Sequence, residues 1–494
     1  MSTAPSSDVV VNGGPIPDRP TYTPWDTVRY IWTTLGLPLN ALDSLTLENG
    51  GPYYKSSFQI SHTAQSSIAL SALSAALIHS LQTGLTVPQV TVPLRHACLE
   101  FQTEKLFTIN GQPLPSTWGP IGGLHKCADG YVRIHDSFSN HRNGTLKLLD
   151  LDEGSSRDDV AEQVAKWKKL ELEEAGHSNR LAIYALHNFA EWNATPQAEA
   201  ISNFPIIIRK IGDDGPNGLP STLKNPADRC LRGLRVLELS RVIAGPVCGK
   251  TLALHGADVM WITSPHLPDL PSLDRNLSRG KRSIQLDLDN PSDRKTLKEL
   301  IKTCNVFIQG YRPSSLAARG FGPADLAALN PGIIYANLSA FGPEGPWSNR
   351  RGFDSLVQTC SGMNVSEAEH SGSRAPAQPT PVQALDHAGG FLLAAGIMAA
   401  LYKKSEHGGS WEVHVSLAGV MKYLRSLGQW PGKEGFEHRD PASDGEELPE
   451  QYFEERESAF GHMRGLKHAA QVEGAQPGFD FMSRPLGRDD SKWL

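Results

Sequence analysis

Residues 381–401, PVQALDHAGGFLLAAGIMAAL, constrain the fold of this chain more than any other stretch. From Ala388 to Leu401 no polar side chain interrupts the run. A helix there is apolar on nearly every face and has to be buried almost all round. One acidic residue, Asp386, stands at its mouth. A carboxylate in a first helical turn meets free backbone N–H groups and the positive end of the helix dipole, which hold it ionised and oriented. Two readings stay open at this point: an ordinary N-cap, which the local sequence favours, and a carboxylate held for chemistry.

The rest of the chain narrows the choice. With 494 residues, 39% hydrophobic and 20% charged, it can bury sizeable cores and is too long for one ordinary domain, so two or three are expected. A net charge of −6 and no basic patch interleaved with aromatics leave no electrostatic footprint for nucleic acid, and none is expected as a partner. The six cysteines lie far apart without CxxC spacing, and no His cluster has zinc spacing, so buried thiols are expected and no structural metal. No apolar segment follows Met1, no membrane-spanning run is evident, and SKWL is not a terminal SKL address. A soluble cytoplasmic protein is the expectation, with mitochondrion or peroxisome as alternatives.

Taken in order, residues 1–24 are rich in Ser, Pro and Gly and read as a mobile arm. Residues 25–110 carry a helix from Trp25, stopped at Gly36 and Pro38, a long Ala/Ser/Leu helix over 57–81, the strand-like VPQVTVPL and a helix RHACLEFQTEKLF. Residues 111–215 read as a small α+β domain: a strand pair around Asp129-Gly130, a charged helix from Arg157 to about Ala175, further helical stretches and the strand FPIIIRKI. Residues 216–230 belong to a Gly/Pro/Asn/Asp-dense linker.

Residues 231–430 alternate strand, turn and helix in the manner of a Rossmann-like parallel sheet, opening with the βαβ unit LRGLRVLELSRVIAGPVCGKTLALHGADVMWIT. Its turn, SRVIAGP, is not GxGxxG, which removes weight from a dinucleotide-dependent dehydrogenase. An acidic, loose stretch (431–451) and a tail packing on the large domain (452–494) complete the chain. The expected fold class is α/β: a Rossmann-like parallel-sheet large domain with a smaller α+β domain. SALSAALIHSLQTGLTVPQVTVPLRHA also parallels AAGIMAALYKKSEHGGSWEVHVSLAGV, and aligning Leu77 with Leu401 sets His62 opposite Asp386. Residues 25–110 then read as a degenerate copy that lacks the carboxylate.

The blocks LRGLRVLELSRVIAGPVCGKTLALHGADV, RGKRSIQLDLDNPSDRKTLKELIKTCNVFIQGYRPSSL, LNPGIIYANLSAFGPEGPW and RGFDSLVQTCSGM, followed by the Asp386 helix, together resemble the class III coenzyme A transferases of the CaiB/BaiF group. The resemblance runs from about Leu231 to Leu424 and implies an acyl-CoA:carboxylate CoA-transferase. It makes Asp386 the catalytic nucleophile, passing through an aspartyl anhydride and an aspartyl-CoA thioester, in a site that excludes water. Coenzyme A thioester enters as substrate, with no prosthetic group. Carried over position by position, the resemblance gives CoA contacts at Ile243 and Ala244, Asp287 and Leu288, Gly310, Tyr311 and Arg312, and Arg351. Where the family commonly has Glu-Arg or Glu-Lys after the second strand, this chain has Thr263-Ser264, so a phosphate or adenine contact is either missing or supplied elsewhere, with Lys281 and Arg282 as candidates.

The expected partners are an acyl-CoA and a carboxylic acid, with a homodimer possible. Two alternatives accompany this reading. One is a catalytically weak CoA-binding pseudoenzyme, since the organisation looks like two incomplete fused copies. The other is a 2-methylacyl-CoA racemase, disfavoured because the family's racemase histidine is replaced by Phe353, which moves no proton. His387 is read as packing, and the loop Gly119–Gly123 as a candidate acceptor-specificity loop.

Overall fold

A computed structural model describes residues 8–49, 51–225 and 227–494. Its centre is a seven-stranded sheet, and its strands are numbered here in chain order: β1 (Ile206–Gly212), β2 (Arg235–Leu239), β3 (Asp258–Thr263), β4 (Arg282–Gln285), β5 (Val306–Gln309), β6 (Ile334–Ser339) and β7 (Ser410–Ser416). The spatial order is β4-β3-β2-β5-β6-β7-β1; all pairs are parallel except β7 with β1. β2 and β3 are almost continuously buried, as strands of a parallel sheet covered by helices are. Strand order reverses between β2 and β5, and a doubly wound sheet opens a crevice at the carboxyl ends of its strands at such a point.

The Asp386 helix spans Ala384–His407 and is buried from Ala384 to Leu401. It packs between the helix Ala244–Leu254 that follows β2 and the helix Ile60–Thr83 of the first half. Gly390 permits the close approach: a Cβ there would lie 2.6 Å from the Ala244 carbonyl oxygen and 2.6 Å from Val247 Cβ. Both long helices are apolar and long enough to cross a bilayer, contrary to the sequence reading that no such span is present. Their burial against protein shows them used as core.

The two long helices share more than composition. Each has 24 residues, each starts after a glutamine of similar backbone conformation (Gln59 φ −76°, ψ 53°; Gln383 φ −78°, ψ 64°), and each stops at a glycine, Gly84 or Gly408. A strand and a helix follow in both halves: Val90–Pro93 with Leu94–Glu100, and β7 with Leu417–Ser426. His62 and Asp386 both occupy the third helical position.

The small module holds a three-stranded antiparallel sheet, Gly123–Cys127, Gly130–Ile134 and Ile183–Ala185, with helices Ser139–Leu148, Arg157–Val164 and Lys169–Ser178. Here the expectations need correction. The charged helix breaks in two near Trp167, whose indole packs on the module's own core. FPIIIRKI leaves this module and pairs as β1 with β7, because alternate residues Ile206 and Ile208 are buried in the main core.

The expected mobile arm, over residues 8–23, lies against the molecule. Val9 pairs with Ile208, and Arg19 donates to Ser426 Oγ at 3.0 Å while lying over the Tyr30 ring at 4.7 Å; residues 1–7 fall outside the described region. The stretch 431–451 is likewise anchored rather than loose: Asp440 accepts from Gln102 Nε2 at 2.8 Å, and Glu446 pairs with Arg95 at 3.0 Å. The tail begins as a hairpin, Phe453–Ser458 with Gly461–Leu466, joined to the first half at Thr108–Ile109. Only then does it cross the large sheet's edge, where the Asp489 amide donates to the Ser283 carbonyl at 3.0 Å.

Candidate active site

A cleft of about 610 Å³ opens at the switch point between β2 and β5. Of the residues expected to contact CoA, Ala244, Asp287, Leu288, Gly310, Tyr311, Arg312 and Arg351 line it, and Asp386 lies at its inner end. Ile243 instead faces a second cavity of about 350 Å³, which also reaches Asp386. The two cavities share Val242, Phe353 and Asp386. Asp386 is 8% exposed, so its carboxyl sits in a largely dry place with space on either side.

The expectation that free helix N–H groups hold Asp386 ionised is overturned. Asp354, at the start of the helix Asp354–Cys360, takes those groups with one oxygen: Oδ2 accepts from the amides of Leu385 at 2.8 Å and Asp386 at 3.0 Å. Gln358 Nε2 serves the other Asp354 oxygen. Asp354 is therefore the remote cap, and the orphan donors of the first turn stabilise its charge. Burial pushes the Asp386 carboxyl well above the usual carboxylate range, and the nearby charges of Asp354 and Glu104 push the same way. Burial also raises Asp354, to about 6, against these hydrogen bonds. Of the two carboxyls, Asp354 has the donors, so its charged form is the favoured one and Asp386 is the harder of the two to ionise.

Glu104 comes from the first half and pairs with His387 Nε2 at 2.9 Å, while the His387 ring stacks on Phe101 with centroids 5.2 Å apart. The neighbour of Asp386 thus packs, as expected, and also ties the two halves together. Phe353, in the position of the racemase histidine, stacks on His135 at 3.9 Å. Burial drives His135 down to about 3, so the imidazole behind the ring stays neutral.

Neither lysine nor arginine of the expected pair reaches the cleft. Lys281 is fully buried in an ion pair with Glu238 at 2.7 Å and donates to the Pro246 carbonyl at 2.8 Å; Arg282 grips Asp258 at 2.7 Å. Thr263 and Ser264 line the cleft themselves, with His266, whose Nε2 is 3.3 Å from Asp287 Oδ2. The arginines the sequence reading missed are Arg180, Arg241, Arg319 and Arg350, of which Arg319 pairs with Asp289 at 3.2 Å and Arg350 with Glu173 at 3.0 Å. Arg241 lies over the Phe138 ring at 3.9 Å. Arg180, Arg312 and Arg351 have no carboxylate partner within salt-bridge distance among the described residues, and burial with mutual repulsion lowers Arg351 to about 10. Unpaired guanidinium groups gathered in a cleft suit phosphate or pyrophosphate oxygens.

Arg180 stands in an unusual place. The helix Lys169–Ser178 ends with the Leu181 amide donating to the Gly176 carbonyl at 2.8 Å and the Arg180 amide to His177 at 2.9 Å. This doubly bonded helix stop puts Arg180 at φ +60°, a position that normally takes glycine. No motif signals it, because it lies outside the blocks that carry the resemblance.

The loop Gly119–Gly123 does not itself line either cavity. Its glycines make room for Asp136, whose Oδ2 accepts from the Ile121 amide at 2.8 Å and the Gly122 amide at 2.7 Å; a Cβ on Gly122 would lie 2.0 Å from Oδ1. Trp118, just before the loop, reaches the second cavity.

Residues 231–456 match the model of CoA-transferase family III. Over this segment the chain is similar to that family. An acyl-CoA transferase of Gibberella moniliformis is 31% identical over 314 residues, 60% of this chain and 54% of the relative. A formyl-CoA:oxalate CoA-transferase of Rhodopseudomonas palustris is 33% identical over 210 residues, 40% of this chain and 48% of the relative. The chain thus spans about half the length of these curated relatives. A crystal structure of the Mycobacterium tuberculosis hypothetical protein Rv3272 aligns at 31% identity and a TM-score of 0.36, over 42% of this chain and 57% of that one. In the family III segment lie Asp386, Asp354 and the β2–β5 crevice; Arg180, Glu104, Trp118 and Arg133, which complete the two cavities, lie before it.

Proposed function

We propose that this protein is an acyl-CoA:carboxylate CoA-transferase with Asp386 as its nucleophile. The observation that carries the reading is a single buried carboxyl placed where two cavities meet, one of them edged with unpaired arginines. CoA lies in the larger cleft, its phosphates on Arg180, Arg312 and Arg351. Ala244 and Gly310 supply the close backbone walls, and Asp287 and Leu288 flank the far end. Ile243 lines the acyl side rather than the CoA side.

In the first step Asp386 Oδ attacks the thioester carbonyl, the C–S bond breaks, and the thiolate leaves a mixed anhydride. The thiolate then attacks the Asp386 carbonyl carbon, releasing the donor acid and forming an aspartyl-CoA thioester. An acceptor carboxylate attacks that thioester, freeing the thiolate and forming a second anhydride. The thiolate finally attacks the acceptor's acyl carbon, which yields the new thioester and restores Asp386. Each intermediate is hydrolysable, so the apolar helix behind Asp386 and the Phe353 wall protect the reaction by keeping water out.

Asp386 must be ionised for the first attack, and burial beside the Asp354 and Glu104 charges raises its pKa, so ionisation is part of what substrate binding has to bring about. Incubating the protein with a panel of acyl-CoA thioesters and hydroxylamine tests the reading. Inactivation with a hydroxamate on Asp386, absent in Asp386→Ala, is expected. Persistent activity without any modification at residue 386 would overturn it.

A further inference from the structure

The second cavity has a chemical character of its own. Its apolar walls include Phe101, Leu273 and Phe353, and the plane of Trp118 faces the guanidinium of Arg133, 5.6 Å from the ring centroid. Arg133 lies on the strand Gly130–Ile134 of the small module and lines this cavity. Its Nε is buried without a hydrogen-bond partner, and among the described residues no carboxylate lies within salt-bridge distance. Of the acids around it, Asp136 uses Oδ2 on the amides of Ile121 and Gly122 and leaves Oδ1 without a partner among the described residues, Asp354 uses Oδ2 on those of Leu385 and Asp386, and Glu104 lies 2.9 Å from His387 Nε2. Asp354 and Asp136 act on this guanidinium only from beyond salt-bridge distance, burial works against its charge, and an incoming carboxylate meets a planar fork of donors that matches its two oxygens.

Resting on the transferase reading, we propose that this cavity receives the acyl group and the acceptor acid, and that Arg133 selects acids with a second carboxylate at the far end. The substrates are then dicarboxylic acids and their half-thioesters. One carboxylate is activated at Asp386, while the other is held by Arg133 across a cavity of about 350 Å³, within the usual range for small-molecule sites. Trp118 and the apolar walls grip the methylene chain between. Selectivity arises because an acid ending in a methyl group leaves Arg133 unpaired.

The test is calorimetric binding of matched acids, glutarate against pentanoate and adipate against hexanoate, to the full-length protein saturated with CoA. The dicarboxylates are expected to bind at least tenfold more tightly. Arg133→Met should erase that difference while leaving the monoacids unchanged, and Arg133→Lys should keep part of it; thermal melts verify that each variant is folded. Equal affinity in the wild type, or discrimination that survives in Arg133→Met, overturns the proposal. Discrimination that persists in a protein showing no CoA transfer to any acid would instead sink the transferase reading and leave the dicarboxylate site standing.

Discussion

At the scale of single residues the site rests on how two neighbouring carboxyls divide their work. Asp354 accepts two helix amides, which favour its charged form, while Asp386 has no such donors among the described residues and burial favours its protonated form. A buried acid whose folded pKa is raised costs stability progressively as pH climbs above its unfolded value toward the folded one. Asp386→Asn should therefore be inactive yet melt higher than the wild type, with a gap that is negligible near pH 4 and widens toward pH 8; a constant gap would contradict the assignment. The kcat/KM for the donor thioester should rise with pH through a limb above the ordinary carboxylate range. In Asp354→Asn one amide-accepting oxygen remains but the like charge is gone, so that limb should move to lower pH.

Arg180 offers a second residue-scale test. A non-glycine residue at a left-handed helix stop costs roughly 1 kcal/mol. Arg180→Gly should raise the melting temperature slightly and raise the KM for acyl-CoA about tenfold, with kcat less affected. Loss of stability without a KM change would assign the side chain a structural role.

At the scale of elements, the Asp386 helix shows what the sequence could and could not reveal. Its uninterrupted apolar run forecast complete burial, and the βαβ alternation forecast the succession of strands along the chain from Arg235 to Ser339, because both follow from periodicity alone. Most of the expected contacts line the cleft, because the turns after β2 and β5 face each other across the switch point. What stayed hidden depends on contacts across long separations. Asp354 caps a helix thirty-odd residues away, β1 is captured by β7 although it follows the small module, and Arg133 and Arg180 enter from outside the recognisable blocks. Local pattern carries no trace of such pairings.

Gly390 belongs to this scale as well. Alanine is the better helix former by about 1 kcal/mol, yet its methyl would press on the Ala244 carbonyl. Gly390→Ala should destabilise the protein by roughly 1–3 kcal/mol in urea melts, through overpacking against the helix Ala244–Leu254. A stabilised variant would show that the close approach is not binding on the fold.

At the scale of the molecule, the two halves are interleaved rather than strung in series. The helix Ile60–Thr83 packs along the Asp386 helix, Glu104 holds His387, and β1 completes the sheet from the far side. Residues 231–494 expressed alone should therefore be insoluble or inactive, since the Asp386 helix would lose its apolar cover, and co-expression with residues 1–230 should restore soluble activity; an active fragment on its own would refute the interleaving as a requirement. His62, the counterpart of Asp386, has no equivalent chemistry. Its Nε2 lies 2.7 Å from Thr27 Oγ1, and burial lowers it to about 4. His62→Asp should create no second reactive carboxyl, because Thr27 and the core occupy the space a substrate would need.

The pairing of the two long helices also dictates a schedule for biosynthesis. The ribosome releases the helix Ile60–Thr83 about three hundred residues before its partner, a delay of roughly 15–60 s at ordinary elongation speeds. Throughout that interval the face that the Asp386 helix will cover has only the first half's own elements beside it, so a nascent chain ending before residue 384 should need chaperone shielding to stay in solution.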